Sequence, residues 1–464
     1  MEHHKTEQDV KKNLEDIGFS EQEILLFFQY RPEEQLNFLN RHRKKLLEQI
    51  HKDQHQLEYL DYLLYHIKQK RAVHMSFNMY VPTRFVFGNG RLSELSQYKM
   101  PGKKAMIVTT NGTSVFKNGA YDNTVEQLNK AGVAPVLFNE VQANPLKSTV
   151  MNGAAFVKEN QCDFIVALGG GSVMDAAKAM AFMATNPGDL WDYIVGGSGK
   201  GQPMQEKPLP IVCITTTAGT GSEADQWGVI SHDERNEKIG FGGWDELFPV
   251  LSIIDPELMK TVPPKFTAYQ GFDALFHATE CYISKGANMM SDMYALTAIE
   301  NIASYLARAV KDGNDIEARE HVAFANTLSG IVMTICSTTA EHSIEHAMSA
   351  FHHELPHGAG LIMISKAFYE FFIEHHACDE RFIKMAQVMG IPNANKPEDF
   401  IIALVNLQKA CGVEQLKMSE YGFTPDEFEA IAANAKETMG GLFLANPCEL
   451  PHEGCVEILR KSYQ

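Results

Sequence analysis

The segment Asp163–Met180, DFIVALGGGSVMDAAKAM, limits the fold more than any other stretch of this chain. A short apolar run with β character meets three consecutive glycines, Gly169, Gly170 and Gly171, then Ser172, and a helical pattern begins near Val173. Glycines let a backbone turn sharply and approach a ligand closely. The helix N-terminus behind them offers free N–H groups and partial positive charge to an anion such as a pyrophosphate. Asp175 falls in the first helical turn, where it can fix the loop or bond a cofactor. The spacing is not GxGxxG, so the loop differs in detail from the usual dinucleotide fingerprint. A plain tight turn between strand and helix is the alternative reading.

The surrounding pattern repeats this strand-then-helix order. Candidate strands are Arg84–Phe87, Ala105–Thr109, Pro135–Phe138, Asp163–Leu168, Pro210–Thr215 and Leu251–Ile254. Their alternation with polar periodic segments predicts an α/β domain over 79–262, with a mostly parallel, Rossmann-like sheet. Such sheets bind ligands at the carboxyl ends of their strands. A second loop, Thr215–Ser222 (TTTAGTGS), should leave the same sheet edge, and its small residues suit packing on a dinucleotide. After Pro263–Pro264 the β pattern stops. Amphipathic segments such as Asp292–Ala309 and Ala318–Cys336 predict an all-helical domain over 263–464. A cleft between two unlike domains is the expected place for a site.

Residues 1–78 read as a separate helical extension. Leu36, Leu39, Leu46, Ile50, Leu57, Leu60, Leu64 and Ile67 recur in steps of three and four, with Arg43 and Asp53 at two seam positions. This is a heptad pattern, and it predicts association into a homo-oligomer. Within 1–75, 12 Lys/Arg stand against 13 Asp/Glu, so the segment is not a basic arm. Around Leu57–Leu64 (LEYLDYLL) it resembles the C-terminal dimerisation helix of MerR-type regulators. A helix packed on the rest of its own chain is the alternative.

Composition narrows the function classes. A net charge of −17 opposes broad binding to nucleic acid phosphates. The eight cysteines form no CxxC pair, and no signal peptide is evident, which predicts reduced, buried thiols in a cytoplasmic protein. No apolar run approaches the roughly 18 residues of a membrane span.

Histidine is unevenly placed. None lies between His74 and His232, whereas seven of eighteen fall from His277 to His357. In GFDALFHATE, Asp273 and His277 are four apart and share a helix face. In EHSIEHAMSAFHHELPHG, His342 and His346 are also four apart, and His357 follows Leu355–Pro356. A carboxylate with several imidazoles suits Fe(II) or Zn(II).

Together these segments resemble the iron-containing alcohol dehydrogenase family from about Tyr80 to near the C-terminus. FVFGNG at Phe85–Gly90, GGGSVMDAAK at Gly169–Lys178, TTAGTGSEA at Thr216–Ala224, GFDALFHATE at Gly271–Glu280 and LPHGAGL at Leu355–Leu361 fall in the family's order. Members acting on short alcohols and diols, such as butanol dehydrogenases and lactaldehyde reductases, are the most similar. The resemblance implies metal ligands at Asp273, His277, His342 and His357. It assigns His346 to the nicotinamide side, which corrects the reading of His342 and His346 as a chelating pair. His346, with Asp273 and His277, is the implied catalytic group. Gly170, Gly171, Ser172 and Asp175 would line the pyrophosphate, and Thr216, Thr217, Thr220, Val229 and Lys238 the rest of the cofactor.

Two departures stand out. The N-terminal extension lies outside the usual family architecture. After the second strand of the cofactor domain, NAD-preferring members carry an acidic residue, but Thr110 and Asn111 stand here. No carboxylate there repels a 2′-phosphate, so NAD and NADP are both open, with a lean to NADP. The implied activity is metal-dependent hydride transfer between NAD(P) and a small primary alcohol, diol or aldehyde, with neither nucleic acid nor membrane as partner. The alternatives are a zinc polyol dehydrogenase of the glycerol dehydrogenase type, and a regulatory or scaffold protein using the N-terminal helix.

Overall fold

The structure is a computed structural model that describes residues 6–70 and 76–463. It separates into two compact units, Met1–Val73 and His74–Gln464.

The first unit contains α1 (Glu7–Asp16), α2 (Glu21–Gln29) and α3 (Pro32–Lys70). Capping boxes open α1 at Thr6 and α2 at Ser20, each satisfying otherwise orphaned N–H groups. Leu14, Phe19, Ile24 and Phe27 form a small core closed by Phe38 and Leu39 of α3.

The second unit begins with a sheet. Its strands are β1 (Arg84–Phe87), β2 (Lys104–Thr110), β3 (Ala134–Val141), β4 (Phe164–Gly169), β5 (Ile211–Thr215) and β8 (Leu251–Ile254), in the order β1-β8-β5-β4-β2-β3. Every neighbouring pair is parallel. The helices among them are α4 (Ser114–Lys117), α5 (Ala120–Lys130), α6 (Lys147–Glu159) and α7 (Gly171–Met183). Side chains of β2 alternate, Met106 and Val108 into a core shared with α6 and α7, Ala105 and Ile107 into one shared with α5. The sheet is thus covered on both faces, as parallel sheets require.

The chain leaves β2 for β3 on one side, then crosses back to β4 on the other. The strand order therefore reverses between β2 and β4, whose carboxyl ends carry Thr110 and the triple glycine. A reversal of this kind opens a ligand crevice. The six strands anticipated from the sequence are present, with ends shifted by up to a few residues. An antiparallel hairpin, β6 (Trp227–Ser231) with β7 (Lys238–Gly242), was not anticipated. Its strands are short and glycine-bearing, and the polar stretch between them hides the pairing.

From Pro264 onward the described residues form helices only: α8 (Pro264–Ile283), α9 (Met289–Lys311), α10 (Ile316–Ile335), α11 (Ala340–Phe351) and α12 (His357–Glu374). Then follow α13 (Asp379–Val388), α14 (Glu398–Ala410), α15 (Phe428–Ala445) and α16 (His452–Ser462). They enclose one large apolar core. Cys162, Cys213, Cys281, Cys336, Cys411 and Cys455 are buried free thiols. No single helix among the described residues is long and apolar enough to cross a membrane.

Candidate active site

The triple glycine ends β4 and opens α7. Gly170 occupies the N-cap position and the helix starts at Gly171. The neighbouring strand β5 delivers the second loop beside it, and Thr216 N donates to Gly169 O at 3.0 Å. A Cβ on Gly170 would collide with the Thr217 side chain, and one on Gly171 with that of Thr220. The two loops thus pack backbone against hydroxyl-bearing side chains, with no room for a larger residue. Gly170, Ser172, Thr216, Thr217, Thr220 and Val229 are half-buried, so a ligand can reach them. Thr110 is half-buried and Asn111 exposed at the end of β2, and Gly112 N donates to Thr110 Oγ1 at 3.3 Å.

Asp175 is different. It is buried and accepts from Ser222 Oγ at 2.7 Å and Val229 N at 2.9 Å. Burial pushes its carboxyl up to about 6, against the pull of Lys178. It braces the second loop and the β6–β7 hairpin against α7. Lys178, fully buried one turn on, donates to Ser222 Oγ at 2.8 Å, Asp225 Oδ1 at 2.9 Å and Trp227 O at 2.6 Å. Sequence reasoning singled out neither Lys178 nor Asp225.

Three helices build the other half of the site. Asp273 and His277 stand one turn apart on α8, His342 and His346 on α11, and His357 opens α12 behind Pro356. Asp273 Oδ1 lies 3.5 Å from His277 Nδ1, 3.5 Å from His342 Nε2 and 3.4 Å from His357 Nε2. Asp273, His342 and His357 converge closely enough to share one ion. His277 sits beside them, its ring stacked on His342 at 4.2 Å. Asp273 Oδ1, His277 Nδ1 and His342 Nε2 are buried without a hydrogen-bond partner. Buried polar atoms are rarely left so, and carboxylate and imidazole donors of this kind suit a divalent cation.

The electrostatics divide the donor set: against burial, Glu280 and Asp273 hold His342 up at about 10 and Glu345 holds His357 above the usual imidazole value, so both rings must release a proton to bind a metal. Burial alone would raise the Asp273 carboxyl, but His277 and His357 outweigh it and hold the group well below the usual carboxylate range. Burial pushes His277 down to about 3, against the pull of Asp273. Burial, aided by Lys238, holds His346 well below the usual imidazole value.

Behind the imidazoles stand two carboxylates that sequence reasoning missed. Glu280 faces His342 Nδ1, and Glu345 faces His357 Nδ1; both are fully buried. Glu280 also accepts from Thr339 N and Oγ1, each at 2.7 Å. Lys238 Nζ on β7 lies 3.4 Å from Glu345 Oε2, which links the nucleotide-side hairpin to the histidine cluster. His346 makes no such pair, and its Nδ1 meets Met439 Sδ at 2.8 Å where α15 is kinked.

Residues 82–256 match the family description "Iron-containing alcohol dehydrogenase", and 267–463 match its C-terminal domain, "Fe-containing alcohol dehydrogenase family, C-terminal". Among known proteins, a choline dehydrogenase of Bacillus subtilis is 36% identical over 76% of this chain and 88% of its own length. An NAD-dependent methanol dehydrogenase of Bacillus methanolicus is 33% identical over 78% of this chain and 93% of its own. The crystal structure of an archaeal halo-thermophilic Red Sea brine pool alcohol dehydrogenase superposes with a TM-score of 0.79. It is 34% identical and covers 84% of this chain and 99% of that one. These matches favour neither the zinc polyol nor the scaffold alternative. The chain belongs to the iron-containing alcohol dehydrogenases, which carry a hydride between a nicotinamide dinucleotide and an alcohol.

Proposed function

We propose that Asp273, His277, His342 and His357 hold Fe(II), with Zn(II) as a substitute, and that the substrate is a short primary alcohol, a diol or the matching aldehyde. The observation that carries this reading is a set of three buried, unpartnered donor atoms, Asp273 Oδ1 with His277 Nδ1 and His342 Nε2 each 3.5 Å from it. When bound, the metal supplies a Lewis acid to the substrate oxygen and the nicotinamide supplies the hydride acceptor.

The chain's own residues do the rest. Gly170, Gly171 and Ser172 at the start of α7 receive the pyrophosphate. Thr216, Thr217, Thr220, Val229 and Lys238 line the remainder of the dinucleotide, and Asp175 holds their loop in place. Glu280 and Glu345 orient the His342 and His357 rings through their Nδ1 atoms. His346, neutral and buried, faces the nicotinamide and positions its ring. At Thr110 and Asn111 no carboxylate faces the ribose, which favours acceptance of a 2′-phosphate and supports use of NADP beside NAD. Trp227 and the turn before α11 border the substrate space and set its size.

The test is anaerobic purification followed by metal analysis and an assay of NADH and NADPH oxidation with short aldehydes. Wild type should retain about one iron per chain and turn over. Asp273→Ala should lose metal and turnover together while keeping its far-UV circular dichroism. A metal-free Asp273→Ala protein with full turnover would overturn the ligand assignment.

A further inference from the structure

Helix α15 departs from helical geometry at Met439, with φ −133° and ψ 40°, and two glycines follow, Gly440 and Gly441. A Cβ on either glycine would meet nothing within 4 Å, so packing does not demand glycine there, whereas a helix kink is eased by it. Neighbouring elements meet the carbonyls just before the kink. Ser343 Oγ of α11 donates to Ala435 O at 2.8 Å, and Gly197 N donates to Glu437 O at 3.2 Å. Gly196 lies so close to the Thr438 carbonyl that a Cβ would run into it. The kink is therefore built into the packing and is held from two sides.

It sends the Met439 side chain between β7 and α11. Gly240 of β7 leaves the room, since a Cβ there would stand 3.3 Å from Met439 Cε. Lys238, two residues earlier on the same strand, shares that strand face and reaches Glu345. At its other end Met439 Sδ lies 2.8 Å from His346 Nδ1. A thioether sulfur accepts hydrogen bonds and donates none. Nδ1 of His346 therefore carries a proton, and in the neutral ring Nε2 keeps the lone pair. The tautomer of an imidazole is set by the bond that its other nitrogen makes. Glu280 and Glu345 face the Nδ1 atoms of His342 and His357 with carboxylates, whose charge favours the protonated ring. The sulfur at His346 fixes the place of the proton without adding a charge.

We propose that Met439 is a positioning residue for hydride transfer, which fixes the orientation and tautomer of His346 so that Nδ1 holds the proton and Nε2 is free to accept. The proposal rests on the assignment of His346 to the nicotinamide side. The first test is imidazole nitrogen NMR of the full-length protein, with isotope-labelled histidine and diamagnetic Zn(II) in the metal site. The His346 signals are identified by their loss in His346→Asn. Wild type should show a protonated Nδ1 and a bare Nε2, and a proton on Nε2 instead would overturn the proposal. Met439→Leu keeps the apolar bulk and removes the acceptor. Its His346 should show a mixture of tautomers. On the iron-loaded protein its kcat should fall about tenfold, because the ring is no longer held in place. Its KM for NADPH should stay within about twofold, and its iron content should not change. A Met439→Leu protein with the wild-type tautomer and the wild-type kcat would refute the role of the sulfur. If His346→Asn keeps full turnover, the assignment of His346 fails, and the wild-type spectrum still decides whether Met439 fixes its ring.

Discussion

At the scale of single residues, the site is a carboxylate oxygen ringed by imidazole nitrogens, each ring steered from behind. Asp273 and His277 were legible because a four-residue step puts both on one helix face. Glu280 was not noticed, yet a signal existed: it lies seven residues after Asp273, two turns on along the same face of α8. Its meeting with His342 depends on the neighbouring helix α11 and could not be read from spacing. Glu280→Gln should weaken iron binding about ten- to a hundredfold while the fold persists. Competition against a chelator of known affinity, beside circular dichroism, measures this. A second buried acid gives a pH prediction. Glu223 accepts from Asn326 Nδ2 and Thr327 Oγ1, each at 2.8 Å, and burial pushes its carboxyl up to about 7 from 4.5. The folded protein therefore holds this proton more tightly than the unfolded chain. The resulting stability is fully present below about pH 4.5 and is lost as pH rises to about 7, an effect on the order of 3 kcal/mol. Glu223→Gln should gain stability relative to wild type between pH 5 and pH 8. An unchanging gap in melting temperature across that range would mean that the folded protein carries Glu223 ionised throughout.

At the scale of elements, β4 with its glycine loop and α7 was readable throughout, because local sequence alone dictates a strand, a tight turn and a helix start. The apposition of that loop with the one after β5 follows from parallel pairing of the two strands. The same second loop also touches the helical half. Gly221, with φ of +67°, backs onto Gly330 of α10, where a Cβ would run into the Gly221 carbonyl. Gly330→Ala should therefore destabilise the protein by about 1–3 kcal/mol through overpacking. Because the loop must shift, dinucleotide affinity should fall as well. Urea unfolding and quenching of protein fluorescence by NADPH would read the two effects. The β6–β7 hairpin lay beyond sequence reading, although it carries Lys238 to Glu345 and Val229 to Asp175.

At the scale of the whole molecule, the chain divides at the end of the N-terminal helical segment, and the family match begins only at residue 82. Deleting residues 1–73 should leave the second unit folded, with its turnover per active site within about twofold of the full chain. Circular dichroism and the aldehyde assay would check this, and loss of folding would show that the units are interdependent. What the sequence by itself determined are the features that depend on near neighbours: the order of strands and helices, the glycine loops, the shift to helices after Pro264 and the histidine-rich stretch. Tertiary structure alone decided which donors meet. Asp273 and His357 are 84 positions apart and Lys238 and Glu345 107, and such pairs come together only when sheet and helices pack. Burial also strips these groups of water, and so decided that Asp175 and Lys178 brace the fold while Asp273 Oδ1, His277 Nδ1 and His342 Nε2 lie buried without a hydrogen-bond partner.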